Sequence, residues 1–433
     1  MWEYLKSIIL GLLVTISLLV TFALWTYQPE YDDINNGSPI LEAETKLNNG
    51  VQQSVSDIIK PELLLFHQDE RHFSLKSWNE TKNLYEKIVK WPLTDINLVS
   101  KDVIETESSI EIVYPAGIPL STLASTFTIG GEAEKDVKEM NMNIDQIFIS
   151  FTQNQSKYYD VYFVSRQSGT AYSAVIRNFD VSNAVEKYLT GSNSEMEYFS
   201  VDNYFGNPVY LPESQVTLPV LPFQAQKLNV ETMKNVLFNN PKLVKRNSTY
   251  GETFYNIDNR LMKVSENERH MRFEQFQTDE TNELSRQQLI KQSLNDINDH
   301  NGWTANSSYH LFDIRDNVID YRIFQDGYPV LDGGKELSLK ITQTWRNQDL
   351  VEYERPLIQL RYPILNPNQH DDILSGREIL PYIEDQSFED IKIGYRVEIK
   401  GQQELVILLE PAWFIKYVGQ DDWEELVDEG STE

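Results

Sequence analysis

Histidines and carboxylates are the side chains here that could move protons or hold a metal, because the chain contains no cysteine. That absence removes disulfides, thiolate zinc sites and thiol catalysis together. The stretch "HQDERH" sets His67 and His72 five residues apart. On a helix that spacing turns the rings toward different faces, whereas a zinc pair needs i and i+4 on a helix or alternate positions on a strand. The pair is therefore read as part of a polar surface loop. "DINDHNG" looks like a calcium loop until Gly302 is aligned with the obligatory turn. Ile297 then falls where the first carboxylate belongs, and Ser308 where the bidentate glutamate belongs. A helix ending at Asn301 and Gly302 explains the same residues.

No G-x-S-x-G, S-x-x-K, H-E-x-x-H, P-loop or G-x-G-x-x-G occurs. With 66 acidic residues, carboxylate pairs arise anywhere, so motifs alone leave glycosidase chemistry open. A sugar cleft would use aromatic rings, yet Trp91, Trp303, Trp345 and Trp413 stand at the ends of periodic elements, where packing explains them better. The expectation is no catalytic residue, no metal and no cofactor.

Four segments have helix grammar. "SWNETKNLYEKIVKWP" has Ser77 and Glu80 at capping-box spacing, Leu84, Ile88 and Trp91 on one face, and Pro92 as a stop. "DVSNAVEKYLTG" starts at Asp180, and "NVETMKNVLFNNP" starts at Asn229 with Val230, Met233 and Leu237 on one side. "SRQQLIKQSLNDINDHNG" has Ser285 and Gln288 as a second capping box, with Ile290, Leu294 and Ile297 inward. Between them run stretches alternating with period two, among them "YDVYFVSRQSGTAYSAVI", a hairpin turning near Gly169, and "LSLKITQTW". Alternation means one covered face, so the fold is expected to be α+β, with antiparallel sheets and helices packed on them.

The first residues raise a different possibility. Between Lys6 and Glu30 no residue is charged. As a helix, Ile8 to Trp25 would span about 27 Å at about 1.5 Å per residue, close to a bilayer core. Trp2 and Tyr4 flank one end, Trp25 and Tyr27 the other, as rings seated at two interfaces. The exit is bulky where a signal protease needs small residues, so the span is read as an uncleaved transmembrane anchor. Lys6 precedes it and Glu30, Asp32 and Asp33 follow, which puts the N-terminus in the cytoplasm and the bulk outside. Ser7, Gly11 and Thr15 lie at four-residue spacing, and Leu18, Phe22 and Trp25 continue the stripe. Small residues so spaced let a second helix approach closely in lipid, making this stripe the candidate partner contact, whether with another protein or a second copy.

The chain has 66 acidic and 38 basic residues, and only Glu3 and Lys6 precede the span. That excess argues against nucleic acid, which needs clustered Lys and Arg. Four prolines in "FGNPVYLPESQVTLPVLPFQ" suggest a linker near 205–224, and the acidic "QDDWEELVDEGSTE" is read as a frayed, solvated tail. The division expected is an anchor (1–28), an N-terminal extracytoplasmic domain (29–205), a central domain (206–280) and a C-terminal domain (281–433).

The anchor ending in "WTYQPEYDD", the cysteine-free α+β body, and the late stretches "DGYPVL", "SGREIL" and "LEPAWFIKYVG" together resemble the YycH (WalH) family. These are accessory regulators of the WalK–WalR (YycG–YycF) cell-wall two-component system of Gram-positive bacteria. The last domain also looks like the partner protein YycI. The resemblance implies a non-enzymatic regulator whose membrane helix meets those of WalK and YycI, at a single-pass cell-membrane location. An anchored cell-wall hydrolase or glycan-binding protein is the competing reading.

Overall fold

Period-two alternation builds most of this protein. The computed structural model describes residues 45–426 apart from 105–106, 131–136, 138, 152–157, 178–180, 190–194, 278–282, 333–336, 365–368, 384–386 and 402–404; before residue 45 it describes Trp2, Lys6, Leu10, Gly11, Leu13, Val14, Ile16 and Ser17. The chain forms two compact units, Met1–Leu41 and Glu42–Glu433.

In the first unit the described residues are helical, and Leu10, Leu13, Val14 and Ile16 expose their side chains. No helix among the described residues is long and apolar enough to cross a membrane. The expected span from Ile8 to Trp25 lies largely outside the described residues. Of the stripe, only Gly11 is described, and a Cβ there would meet nothing within 4 Å. Ser7, Thr15, Leu18, Phe22 and Trp25 lie outside the described residues.

The second unit is α+β, as expected, and its strand pairings are antiparallel. A nine-stranded sheet runs, in spatial order, Pro208–Pro212, Glu195–Asp202, Arg71–Leu75, Leu63–Gln68, Ser108–Pro119, Asn143–Ser150, Tyr158–Val164, Thr170–Arg177 and Leu93–Ser100. The helices Trp78–Ile88 and Val181–Leu189 bury Leu84, Ile88, Val181 and Val185 in its core. A second sheet runs from the exposed edge Lys245–Thr249 through three hairpin-linked strands to Asp349–Pro356, Ile341–Arg346, Val318–Gln325 and Ser308–Arg315. The helix Arg286–Asp299 buries Leu289, Ile290, Leu294 and Ile297 in the same core. Its capping box of Ser285 and Gln288 is complete, and Asn301, at φ 50°, ends it as the sequence implies. A third sheet orders Ile358–Pro363, Leu221–Lys227, Val406–Tyr417 and Phe388–Lys400. Near the start of this unit Gly50–Val51 pairs with Trp303–Thr304, and the Gln53 amide donates to Asn298 Oδ1 at 2.9 Å.

All four helices read from the sequence are present. Three other readings need correction. "HQDERH" is not a surface loop: His67 and His72 are cross-strand partners in a hairpin whose two-residue turn is Asp69–Glu70. The acidic tail is not frayed through residue 426: Trp423 is buried against Phe312, and Glu424–Glu425 pairs with Phe414 and Ile415. "LSLKITQTW" becomes a strand only at Ile341–Arg346, although Leu337, Leu339 and Ile341 are all buried. The proline-rich stretch carries strands into three different sheets within twenty residues, at Pro208–Pro212, Val216–Pro219 and Leu221–Lys227. "SGREIL" opens the helix Gly376–Ile383, where the Glu378 carboxylate accepts from the Ser375 amide and hydroxyl, each at 2.8 Å.

Candidate functional site: a cleft between sheets and its polar floor

A cleft of about 550 Å³ opens where the first sheet meets the third. That volume lies in the range of small-molecule sites. One wall is Tyr198 and Tyr210 from the strands at the edge of the first sheet, with Trp78 from the helix that follows the histidine hairpin. Facing them is the turn Asp326–Gly327, followed by Tyr328 and Pro329. This is the "DGYPVL" stretch. Gly327 has φ +89°, and a Cβ there would stand 2.5 Å from Trp78 Cε3, so both conformation and closeness call for glycine.

The floor comes from the long hairpin of Phe388–Lys400 and Val406–Tyr417. Alternation on "FEDIKIGY" turns Lys392 inward, where its ammonium meets Glu62 Oε2 at 2.7 Å and Asp390 Oδ2 at 2.8 Å. It also stands 4.9 Å from the Trp423 ring centroid and 5.4 Å from that of Phe312. Burial disfavours the charged ammonium, but Asp390 and Glu62 outweigh it, and the lysine pKa rises. Beside it, Lys416 meets Glu389 at 3.1 Å and Asp313 at 3.6 Å. Lys392 thus ties Glu62 of the N-terminal half to the C-terminal hairpin.

The hydroxyls differ from these charges. Tyr198 and Tyr328 have no hydrogen-bond partner for their phenols among the described residues. Behind Tyr328, the fully buried Tyr395 also has an unsatisfied hydroxyl, its ring 6.5 Å away and edge-on. Burial pushes the Tyr328 phenol up to about 12, with Asp326 adding to the shift, and raises Tyr198 further.

Tyr210 joins the cleft to a buried polar network. Its hydroxyl donates to Glu111 Oε2 at 2.9 Å, His67 Nε2 donates to the same oxygen at 2.8 Å, and Gln146 Nε2 donates to Oε1 at 2.6 Å. Glu111 is fully buried and His67 is 3% exposed. His67 Nδ1 faces His72 Nδ1 at 2.7 Å. Burial, and then the neighbouring His67, lower the His72 pKa against the opposing pull of Glu111. With three donors on one carboxylate, Glu111 acts as a buried acceptor hub rather than a free base. No group of three or more His, Asp or Glu among the described residues could hold a metal ion.

The sequence reading missed this site. Lys392, Tyr198 and Tyr210 belong to ordinary-looking strands, and His67 with His72 needed a hairpin, not a helix, to meet. The usable signal was "DG" between two alternating runs, a hairpin marker.

Residues 3–193 match the family described as YycH protein, N-terminal domain, and residues 206–427 match YycH protein, C-terminal domain. Over 446 aligned residues the chain is 22% identical to the two-component system WalR/WalK regulatory protein YycH of Bacillus subtilis (strain 168), covering 96% of this chain and 95% of that one. The crystal structure of YycH from Bacillus subtilis superimposes with a TM-score of 0.70 at 18% identity, over 88% of this chain and 99% of the other. Both halves of the chain, with the cleft between them, are thus accounted for by one family, and the chain belongs to the YycH family.

Proposed function

We propose that this protein is a non-enzymatic, membrane-anchored regulator of a cell-wall sensor kinase of the WalK type, acting together with a YycI-like partner. The observation that carries the reading is the near end-to-end match to a Bacillus subtilis protein named as a WalR/WalK regulatory protein. The helical residues Leu10, Leu13, Val14 and Ile16, with apolar side chains exposed, fit a lipid-embedded anchor. In this reading the N-terminus is cytoplasmic, the body lies outside, and regulation passes through helix contacts at the Ser7–Gly11–Thr15 stripe and through the ectodomain. The expected three-part division of that ectodomain is kept as part of the proposal.

The test is co-purification of the full-length chain with the kinase and the YycI-like protein from membranes. Capture that disappears when residues 1–28 are exchanged for an unrelated single-span anchor supports the reading. Absence of both partners from the wild-type eluate refutes it.

A further inference from the structure

We propose that the cleft between the sheets binds a neutral, hydroxyl-bearing ligand of the saccharide class, gripped by the phenols of Tyr198 and Tyr328 beside Trp78. The reading of the protein as a kinase regulator does not depend on this, nor this on it.

The two lysines of the cleft floor are already matched. Lys392 is held by Glu62 and Asp390, Lys416 by Glu389 and Asp313, and Asp145 lies beside Arg166, whose backbone amide donates to it at 3.0 Å. A charged ligand would have to compete with those pairs, and breaking a sheltered pair is costly. The groups left over include the Tyr198 and Tyr328 hydroxyls in the lining and, behind them, the buried and unsatisfied Tyr395 hydroxyl. The Nε of Arg166 is a further buried donor without a partner. A phenol both donates and accepts one hydrogen bond, which suits a ligand hydroxyl that does the same. A buried polar group without a partner is uncommon in a folded protein and calls for an explanation. The lining also includes Trp78, Tyr210 and Pro329, and aromatic and proline rings are surfaces that pack on the C–H face of a sugar ring. Two stretches singled out in the sequence, "DGYPVL" and "LEPAWFIKYVG", meet here, the first through Tyr328 and the second through Trp413 and Lys416.

The experiment titrates the full chain, held in a sugar-free zwitterionic detergent, with chitotriose, maltotriose and the polyamine spermidine, following tryptophan fluorescence and calorimetric heat. The expected result is saturable binding of a neutral trisaccharide and none of spermidine. Tyr198→Phe and Tyr328→Phe, each removing one hydroxyl, should weaken that binding about tenfold in combination. Tyr250→Phe, on a fully exposed ring, should leave it unchanged. Thermal unfolding of each variant accompanies the titration; if the double variant does not fold, the single variants carry the comparison. No binding of either sugar at millimolar concentration, binding of spermidine alone, or folded phenylalanine variants with wild-type affinity would each overturn the proposal.

Discussion

His67 and His72 face each other across the Asp69–Glu70 turn with their Nδ1 atoms 2.7 Å apart, and only one proton fits that gap. Glu111 fixes the Nε2–H of His67, so His67 Nδ1 accepts in that gap and His72 Nδ1 donates. Two other histidines, His300 and His310, are deeply buried and pushed down to about 3, first by burial and then by nearby cations. The unfolded chain takes up these protons near the usual imidazole range while the folded chain does not. Stability is therefore complete above that range and lost as pH falls, by up to about 1.4 kcal/mol per pH unit for each such histidine below ~6.5. Asp296, raised by burial to about 6, pulls the other way over the acid end of this window. These two histidines outweigh it between about pH 7 and about pH 5, so the urea midpoint should fall across that interval. A flat or rising midpoint would contradict the burial of these rings.

Removing the hub of the polar network should cost more than removing one spoke. Glu111→Ala strands three donors and should lower the unfolding free energy by about 3–5 kcal/mol, the scale for breaking a buried ion pair. Tyr210→Phe deletes one donor and should cost about 1 kcal/mol. Equal effects in urea denaturation would mean that the network is not organised around Glu111.

Lys392→Met leaves the carboxylates of Glu62 and Asp390 facing each other without their cation, at an expected cost of about 3–5 kcal/mol. Adding Glu62→Gln should recover part of it, giving a coupling of about 0.5–3 kcal/mol in a double-mutant cycle. Strict additivity would remove Lys392 as the link between the two halves.

Gly327→Ala places a Cβ 2.5 Å from Trp78 Cε3 on backbone with φ +89°. The left-handed conformation alone costs about 1–2 kcal/mol with a side chain, before the collision is counted. Gly169→Ala, where a Cβ meets nothing within 4 Å, is the control and should stay within about 0.5 kcal/mol. Melting temperatures of the two variants settle the comparison; parity between them would contradict the packing of this turn.

Gly11→Leu keeps the N-terminal segment apolar, and a Cβ at that position meets nothing within 4 Å among the described residues. If Gly11 is a contact point with a partner helix in lipid, the larger side chain should cost about 1–2 kcal/mol of association, several-fold to over tenfold. Leu13→Ala, on the opposite face, should matter less. Expression of a kinase-dependent wall gene reads the difference, with membrane abundance of each variant checked. Wild-type output from Gly11→Leu would shift the regulatory contact to the ectodomain.

Local grammar was the legible part. Ser285 and Gln288 cap their helix as spaced, and Asn301 ends it, because capping depends on residues within one turn. The cleft was illegible for the opposite reason. Glu62 and Lys392 are 330 positions apart, and nothing local to either announces the other. His67 and His72 were misjudged on helical geometry, when a two-residue turn sets such a pair directly opposite. Trp423 was lost in its acidic surroundings, although a large ring among charges can mark a docking point rather than a loose end.

The pairing of Gly50–Val51 with Trp303–Thr304 bears on how the protein is made. Gln53 waits for Asn298, 245 residues later in the chain. At synthesis rates of about 5–20 residues per second, that partner emerges roughly 12–50 s afterwards. Until then the first strand of the body has an open edge, and loop-closure entropy opposes its docking. A chain halted before Arg286 would have every residue of that strand and nothing to pair it with, leaving it exposed to proteases and to neighbouring chains.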